Sequence, residues 1–180
     1  MKVLKKTIIV ICIIIAIPLI IALFIKKDYS VEREIIIEKP KQEVFDYIKY
    51  LKNQDNFSVW TKRDSNIKKT YQGIDAEVGF ISKWDSELKD VGKGEQEIKK
   101  IRDGERIDYE LRFIKPFEAI EPAYMITEEI DSVQTKVKWG FSGHFNYPMN
   151  IMFLFMDFEE LIGNDLETGL KNLETILETK

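Results

Sequence analysis

The chain has 180 residues, one cysteine and one histidine, room for one domain of ordinary size. Residues 1–27 hold five of the 27 Lys and Arg residues and no acid, leaving 22 basic residues against all 31 acidic ones in the remainder. An acidic body without basic clusters excludes nucleic acid as a partner, and with its only cysteine at Cys12 the remainder forms no disulfide, Cys-based metal site or thiol nucleophile.

The stretch Thr7–Ile25 carries no charge and is almost wholly Ile, Leu, Val, Ala and Phe. As a helix, about 19 residues extend roughly 28 Å, enough to cross the hydrocarbon core of a bilayer. The polar stripe of a buried core helix is missing, and membrane helices tolerate a proline such as Pro18. The run is too long for the apolar part of a cleaved secretory signal, and it passes into Lys26-Lys27 without a small-x-small site. Cys12 follows the bulky Val10 and Ile11 rather than the small residues of a lipid-attachment site. The sequence therefore predicts an uncleaved single-pass anchor over residues 1–27, meeting the membrane through residues 7–25, and a domain over residues 28–180. Lys2, Lys5 and Lys6 precede the span while Lys26, Lys27 and Arg33 follow it. With the α-amino group added, that bias tilts the domain toward the non-cytoplasmic side of a cell membrane.

After the short linker Asp28–Ser30, Tyr29, Val31, Arg33, Ile35 and Ile37 alternate with polar residues, the period of a half-buried strand. Pro40 suits the start of a helix, in which Val44, Phe45, Ile48 and Leu51 share one face. Asn53–Trp60 reads as a loop or a short second helix. Strands are then predicted over Ile67–Gln72, Val78–Trp84, Gly94–Ile101, Arg106–Phe113, Tyr124–Ile130 and Thr135–Phe145, separated by Gly-, Pro- and Asp-containing turns. A long helix is predicted from Met149 to Glu178, with Ile151, Phe155, Phe158, Ile162, Leu166, Leu173 and Ile176 on one face, Gly169 near its centre and Asp165 on its edge. A mid-helix glycine costs about 1 kcal/mol relative to alanine, so either close backbone approach or space for a bound molecule compensates at Gly169. An antiparallel sheet must have its apolar face covered. The predicted class is α+β, a curved antiparallel sheet of about seven strands wrapped on the C-terminal helix.

This order resembles the helix-grip fold of the START-like, Bet v 1-like superfamily. Within it, the bacterial SRPBCC proteins of polyketide cyclase/dehydrase type are the nearest pattern. The likeness is strongest over VEREIIIEKPKQEVFDYIKYLKNQDNFSVW, Val31–Trp60, where a strand, a proline, Val44-Phe45 and a downstream tryptophan follow the opening pattern of that group. The strands and closing helix extend it to the end of the chain. The resemblance implies a fold more than an activity, and members without a catalytic motif look like binders of hydrophobic ligands.

No catalytic residue is assigned. His144 lacks a Cys or His partner for zinc and shares a face with Lys136, Lys138 and Ser142, away from Val137, Trp139 and Phe141. No GxSxG, P-loop, GxGxxG or HExxH pattern occurs, and neither a metal nor a cofactor is implied. Glu95 and Glu97 share a face of one strand, which like charges place in solvent. Asp157, Glu159 and Glu160, near the start of the long helix, face solvent or complement the helix dipole. Asp165 points near the core, where a satisfied structural bond competes with a functional role.

Binding has better support. Trp84, Tyr109, Trp139 and Phe141 fall on inward strand positions, Trp60, Tyr71 and Tyr124 fall where a cavity rim would lie, and Asp165 and Gly169 complete the candidate pocket. The stretch Asn150–Phe158 is apolar on most of its circumference, which fits a mobile lid, a partner contact or a patch dipping into the bilayer. The reading is a membrane-tethered domain that binds a hydrophobic or amphipathic, lipid-like small molecule. A ligand-free protein-interaction module with an unidentified protein partner, and a cyclase or dehydratase, are the alternatives.

Overall fold

The computed structural model describes residues 2–179, and among these the chain forms five α-helices and one seven-stranded antiparallel sheet. Helix α1 (Lys2–Ala22) stands outside the rest, with its side chains from Val3 to Ile21 exposed. It is long and apolar enough to cross a membrane. Strand β1 (Asp28–Ile37) follows, turning Tyr29, Val31, Arg33, Ile35 and Ile37 inward as the alternation requires. Helix α2 (Lys41–Ile48) begins after Pro40 and buries Val44, Phe45 and Ile48. The ambiguous stretch after it resolves into a 3₁₀ turn (Leu51–Asn53) and two short helices, α3 (Gln54–Phe57) and α4 (Val59–Arg63).

The remaining strands are β2 (Lys68–Gln72), β3 (Ile81–Asp85), β4 (Lys93–Arg102), β5 (Arg106–Lys115), β6 (Ala119–Glu129) and β7 (Thr135–His144). Their order is β1-β7-β6-β5-β4-β3-β2, so hairpins join neighbours while the first strand closes against the last. The sheet curls around helix α5 (Phe158–Glu178), whose Leu166, Leu170, Leu173 and Leu177 are buried. This is the helix-grip arrangement expected from the strand and helix order.

Three boundaries differ from the sequence reading by more than two residues, the first being β3, which starts at Ile81 instead of Val78. Strand β6 starts at Ala119 and runs through Pro122 instead of beginning at Tyr124. The β6–β7 ladder ends at Ala123↔Phe141, so Pro122 lies where no β7 partner awaits its missing N–H. The long C-terminal helix is also broken. Met149–Leu154 is a separate 3₁₀ turn, and α5 starts only at Phe158, because the Asp157 carboxylate accepts the backbone N–H of Glu160 at 2.9 Å and caps a new helix. Ile151 and Phe155 therefore leave the gripping face.

The register fixes which features share an end of the sheet. Strand β1 begins where β7 ends (Asp28↔His144), where β5 turns into β6 (Phe113↔Ala119) and where β3 turns into β4 (Asp85↔Lys93). Helix α5 runs alongside β1, with Glu159 paired to Lys26 at 2.6 Å at one end and Glu178 accepting the Glu38 N–H at 2.7 Å at the other. The α1 end and the distal end of the interior are thus well defined.

Candidate functional site

The distal half of the interior is closed. Ile37, Val44, Phe45, Phe80, Ile98, Ile107, Val137 and Leu173 are all sealed from solvent. Tyr109 belongs to this half: it is buried, and burial raises its phenol far above the ordinary value. Tyr71 shuts the sheet edge beside it, stacked on Phe80 with its hydroxyl donating to Asp55 at 2.5 Å.

A layer of packed rings forms the boundary. Trp139 lies edge-on to Phe57 (5.5 Å between centroids) and to Trp60 (6.0 Å). A Cβ placed on Gly169 would come within 2.7 Å of the Trp139 ring. The glycine thus admits an indole rather than leaving an unfilled space, and helix and sheet approach closely there. The Phe57 carbonyl accepts from the Asn172 amide at 3.0 Å, fixing α3 against α5. Asp165 is engaged at the edge of this layer by Arg63 at 2.5 Å.

Beyond the boundary, toward the α1 end, the interior is lined by rings that are only half-buried. Trp84 meets Phe113 (6.0 Å), Phe113 meets Phe141 (6.5 Å), and Phe141 meets Tyr29 (6.0 Å). Tyr29 then contacts Phe145, Phe153 and Phe158 at 5.9, 5.7 and 5.9 Å. This string crosses the concave face from β3 to the 3₁₀ turn after β7, and every ring in it keeps part of its surface open. Apolar bodies with one phenol present a surface on which an amphipathic molecule can lie.

Glu121 supplies the polar group. It is buried on the inner face of β6, in the gap where β6 and β7 part, and it accepts the His144 backbone N–H at 2.9 Å. Burial raises its carboxyl above the ordinary range, and the His144 N–H offsets this only in part. Burial, with the nearby Glu121 charge, also raises the Tyr29 phenol. A cleft of about 480 Å³, broadly open to solvent, lies here at the rim of the sheet, between Tyr29 and Glu121 of the inner face and Ser142 and the Asp28–His144 pair (2.7 Å) of the outer face. A second cleft, about 410 Å³, lies between Lys26 and the segment Phe153–Glu159. Both lie at the α1 end.

The predicted residues therefore divide. Trp84 and Phe141 join the half-open string. Trp60, Trp139 and Gly169 form the boundary layer with Asp165 beside it. Tyr71 and Tyr109 belong to the distal half. Tyr124 is a correction, since it lies on the outer face of the sheet rather than at a cavity rim. Its ring crosses Gly140 to place its hydroxyl 2.5 Å from Glu32, and the Arg106 guanidinium sits 4.2 Å from the ring centroid. Burial, then the Glu32 carboxylate, push this phenol up to about 12. The residues that sequence reasoning did not select are Glu121, Tyr29, Phe113, Phe145, Phe153 and Phe158. The first three sit on inward alternation positions and Phe145 continues the inward series of Val137, Trp139 and Phe141, whereas Phe153 lies in a 3₁₀ turn that strand alternation does not reach.

No protein-family model and no curated protein sequence matches the chain. Solved structures do resemble it in fold. The Aha1 dimer from Colwellia psychrerythraea is 14% identical, with 83% of this chain and 96% of that one covered at a TM-score of 0.57. Ara h 8.0201 is 13% identical over 85% and 99% of the two chains, at 0.57. TTHA0849 from Thermus thermophilus is 16% identical over 84% and 98%, at 0.59. In each case the part of this chain that is covered is large enough to hold the sheet and its gripping helix, and the fold is Bet v 1-like.

Proposed function

We propose that residues 28–180 form a domain that binds a hydrophobic or amphipathic small molecule at the α1 end of its interior, and that residues 1–27 tether it to a membrane. The observation that carries this reading is the string of seven half-buried rings leading from Trp84 to Phe153, next to where α1 joins the domain. A core that served only packing would bury those rings as fully as Phe45 or Phe80. Helix-grip folds enclose space between sheet and helix; here the distal part is filled, and the rings beside α1 keep part of their surface exposed. Glu121, the buried carboxyl at the polar end, favours a headgroup that donates hydrogen bonds over a phosphate. The ligand is lipid-like, because a tethered domain meets lipids at higher local concentration than dilute metabolites.

Organic extraction of the full-length protein, followed by mass spectrometry against an extract of the parent membrane, tests this reading. The expected result is one species enriched to about one molecule per chain, and lost in a folded Phe141→Ser variant. An extract matching bulk membrane lipid in both proteins would rule the binding reading out.

A further inference from the structure

We infer that the α1 end of the domain is a membrane-docking surface, and that its occupant is the bilayer that α1 enters. This rests on the tether proposed above and adds that the domain lies on the lipid instead of swinging above it.

The junction has no slack. The Asn150 side chain, wholly buried, donates to the carbonyls of Ala22 at 2.7 Å and Ile25 at 3.0 Å, and the Phe145 N–H donates to the Lys27 carbonyl at 2.8 Å. These carbonyls sit at and just beyond the end of α1, where carbonyls have no N–H donors from the helix itself. Ala22 is fully buried by the same contact. The 3₁₀ turn Met149–Leu154 is therefore fixed to the last turn of α1, and whatever depth that turn takes, the 3₁₀ turn shares.

An apolar span ending at Ile25 puts residues 22–25 at the headgroup boundary. The side chains clamped beside that level are apolar and open: Phe24 is 85% exposed, Leu154 57% and Phe155 79%. A second apolar group stands at the same end of the sheet, on the β5–β6 hairpin, where Phe117 is 58% exposed and Ile120 66%. Two separate apolar projections flanking a membrane helix, with Lys26 and Lys27 between span and domain, match the composition of an interfacial contact. The half-open rings end at Phe153 inside this contact, so a lipid-like molecule reaches them without crossing water.

Site-directed fluorescence on the full chain in phosphatidylcholine vesicles tests the inference. In a Cys12→Ser background, single cysteines are introduced as Ile14→Cys in α1, Phe155→Cys and Ile120→Cys in the two projections, and Val133→Cys at the distal end. Each is labelled with NBD and quenched by doxyl lipid or by aqueous iodide. The expected result is doxyl quenching at positions 14, 155 and 120 several-fold above that at 133, with iodide reaching only 133. A label at 14 in lipid with 155 or 120 in water overturns the docking surface and leaves the tether, and is the result expected if the projections serve a protein partner. A label at 14 in water overturns the tether itself.

Discussion

The two halves of the sheet–helix interior use the same kinds of side chain and differ in closure. The distal half is covered by α2, α3 and the 3₁₀ turn after α2, which bring Val44, Phe45, Leu51 and Phe57 onto the sheet. The α1-end half has no such cover. Its rings rely on one another, on the start of α5 and on the 3₁₀ turn after β7. The lesson is that openness here comes from connectivity: the segment between β1 and β2 spends its helices on the distal half, and a string of aromatics is left to line the other.

The largest effects should separate these halves. Phe57→Ala empties a sealed site against Trp139 and should cost about 3–5 kcal/mol of stability. Phe141→Ala removes a ring that is already partly in solvent, so about 1–2 kcal/mol is expected, because less area leaves water when it packs. Urea unfolding of the full chain in detergent, followed by tryptophan fluorescence, measures both. Equal losses would mean that the α1-end half is an ordinary closed core.

The sheet is largely legible in the sequence because alternation has a fixed period and its breaks carry Gly, Pro and Asp. The faces are less so. Ala123–Ile126 is apolar at every position, and where both faces read apolar a shift of one residue exchanges them. That ambiguity is what lets Tyr124 be read as lying at a cavity rim on the sequence alone. Glu121 continues the inward series of Ala123, Met125 and Thr127, but Pro122 disguises it as a turn. The start of α5 could have been read, since Asp157 and Glu160 have the spacing of a capping box. Apolar residues at helical spacing on both sides conceal it. The role of Asn150 has no local signal, because it depends on the approach of a helix 128 residues away.

Two glycines of α5 sharpen the comparison at the next scale. Gly169 faces the buried Trp139 ring, which is packed edge-on to Phe57 and Trp60, so Gly169→Ala should lose about 1–3 kcal/mol to overpacking. The better helix propensity of alanine offsets about 1 kcal/mol of that. Gly163 meets the Arg33 guanidinium, the end of a flexible and half-exposed side chain. Arg33 can swing away, and Gly163→Ala should therefore stabilise by up to about 1 kcal/mol. Thermal unfolding of the two variants should shift in opposite directions, and a gain at Gly169 would show that the boundary layer is loosely packed.

The smallest contrast is electrostatic, between the inner carboxylate and those on the outer face. Glu95 and Glu97 accept from Arg112 at 2.6 Å each, and these hydrogen bonds hold both carboxyls below their ordinary range. Their contribution is present above the unfolded pKa and is lost as pH falls through the folded one. Glu121 runs the other way. Burial raises its pKa, so the folded state holds the proton more tightly, and the stability present below the unfolded pKa is lost as pH rises through the folded pKa. Glu95→Gln should therefore lower the melting temperature at pH 7 and converge with the parent in acid. Glu121→Gln keeps an oxygen for the His144 N–H and should raise the melting temperature at pH 7, with the same convergence. Both effects should be about 1 kcal/mol or less, since solvent screens the outer groups and Glu121 retains one strong donor. Melting curves from about pH 2 to about pH 8 decide the matter: a loss at Glu121→Gln at neutral pH would mean that its carboxylate is stabilised as a charge, and that the α1-end interior is wetter than its ring lining implies.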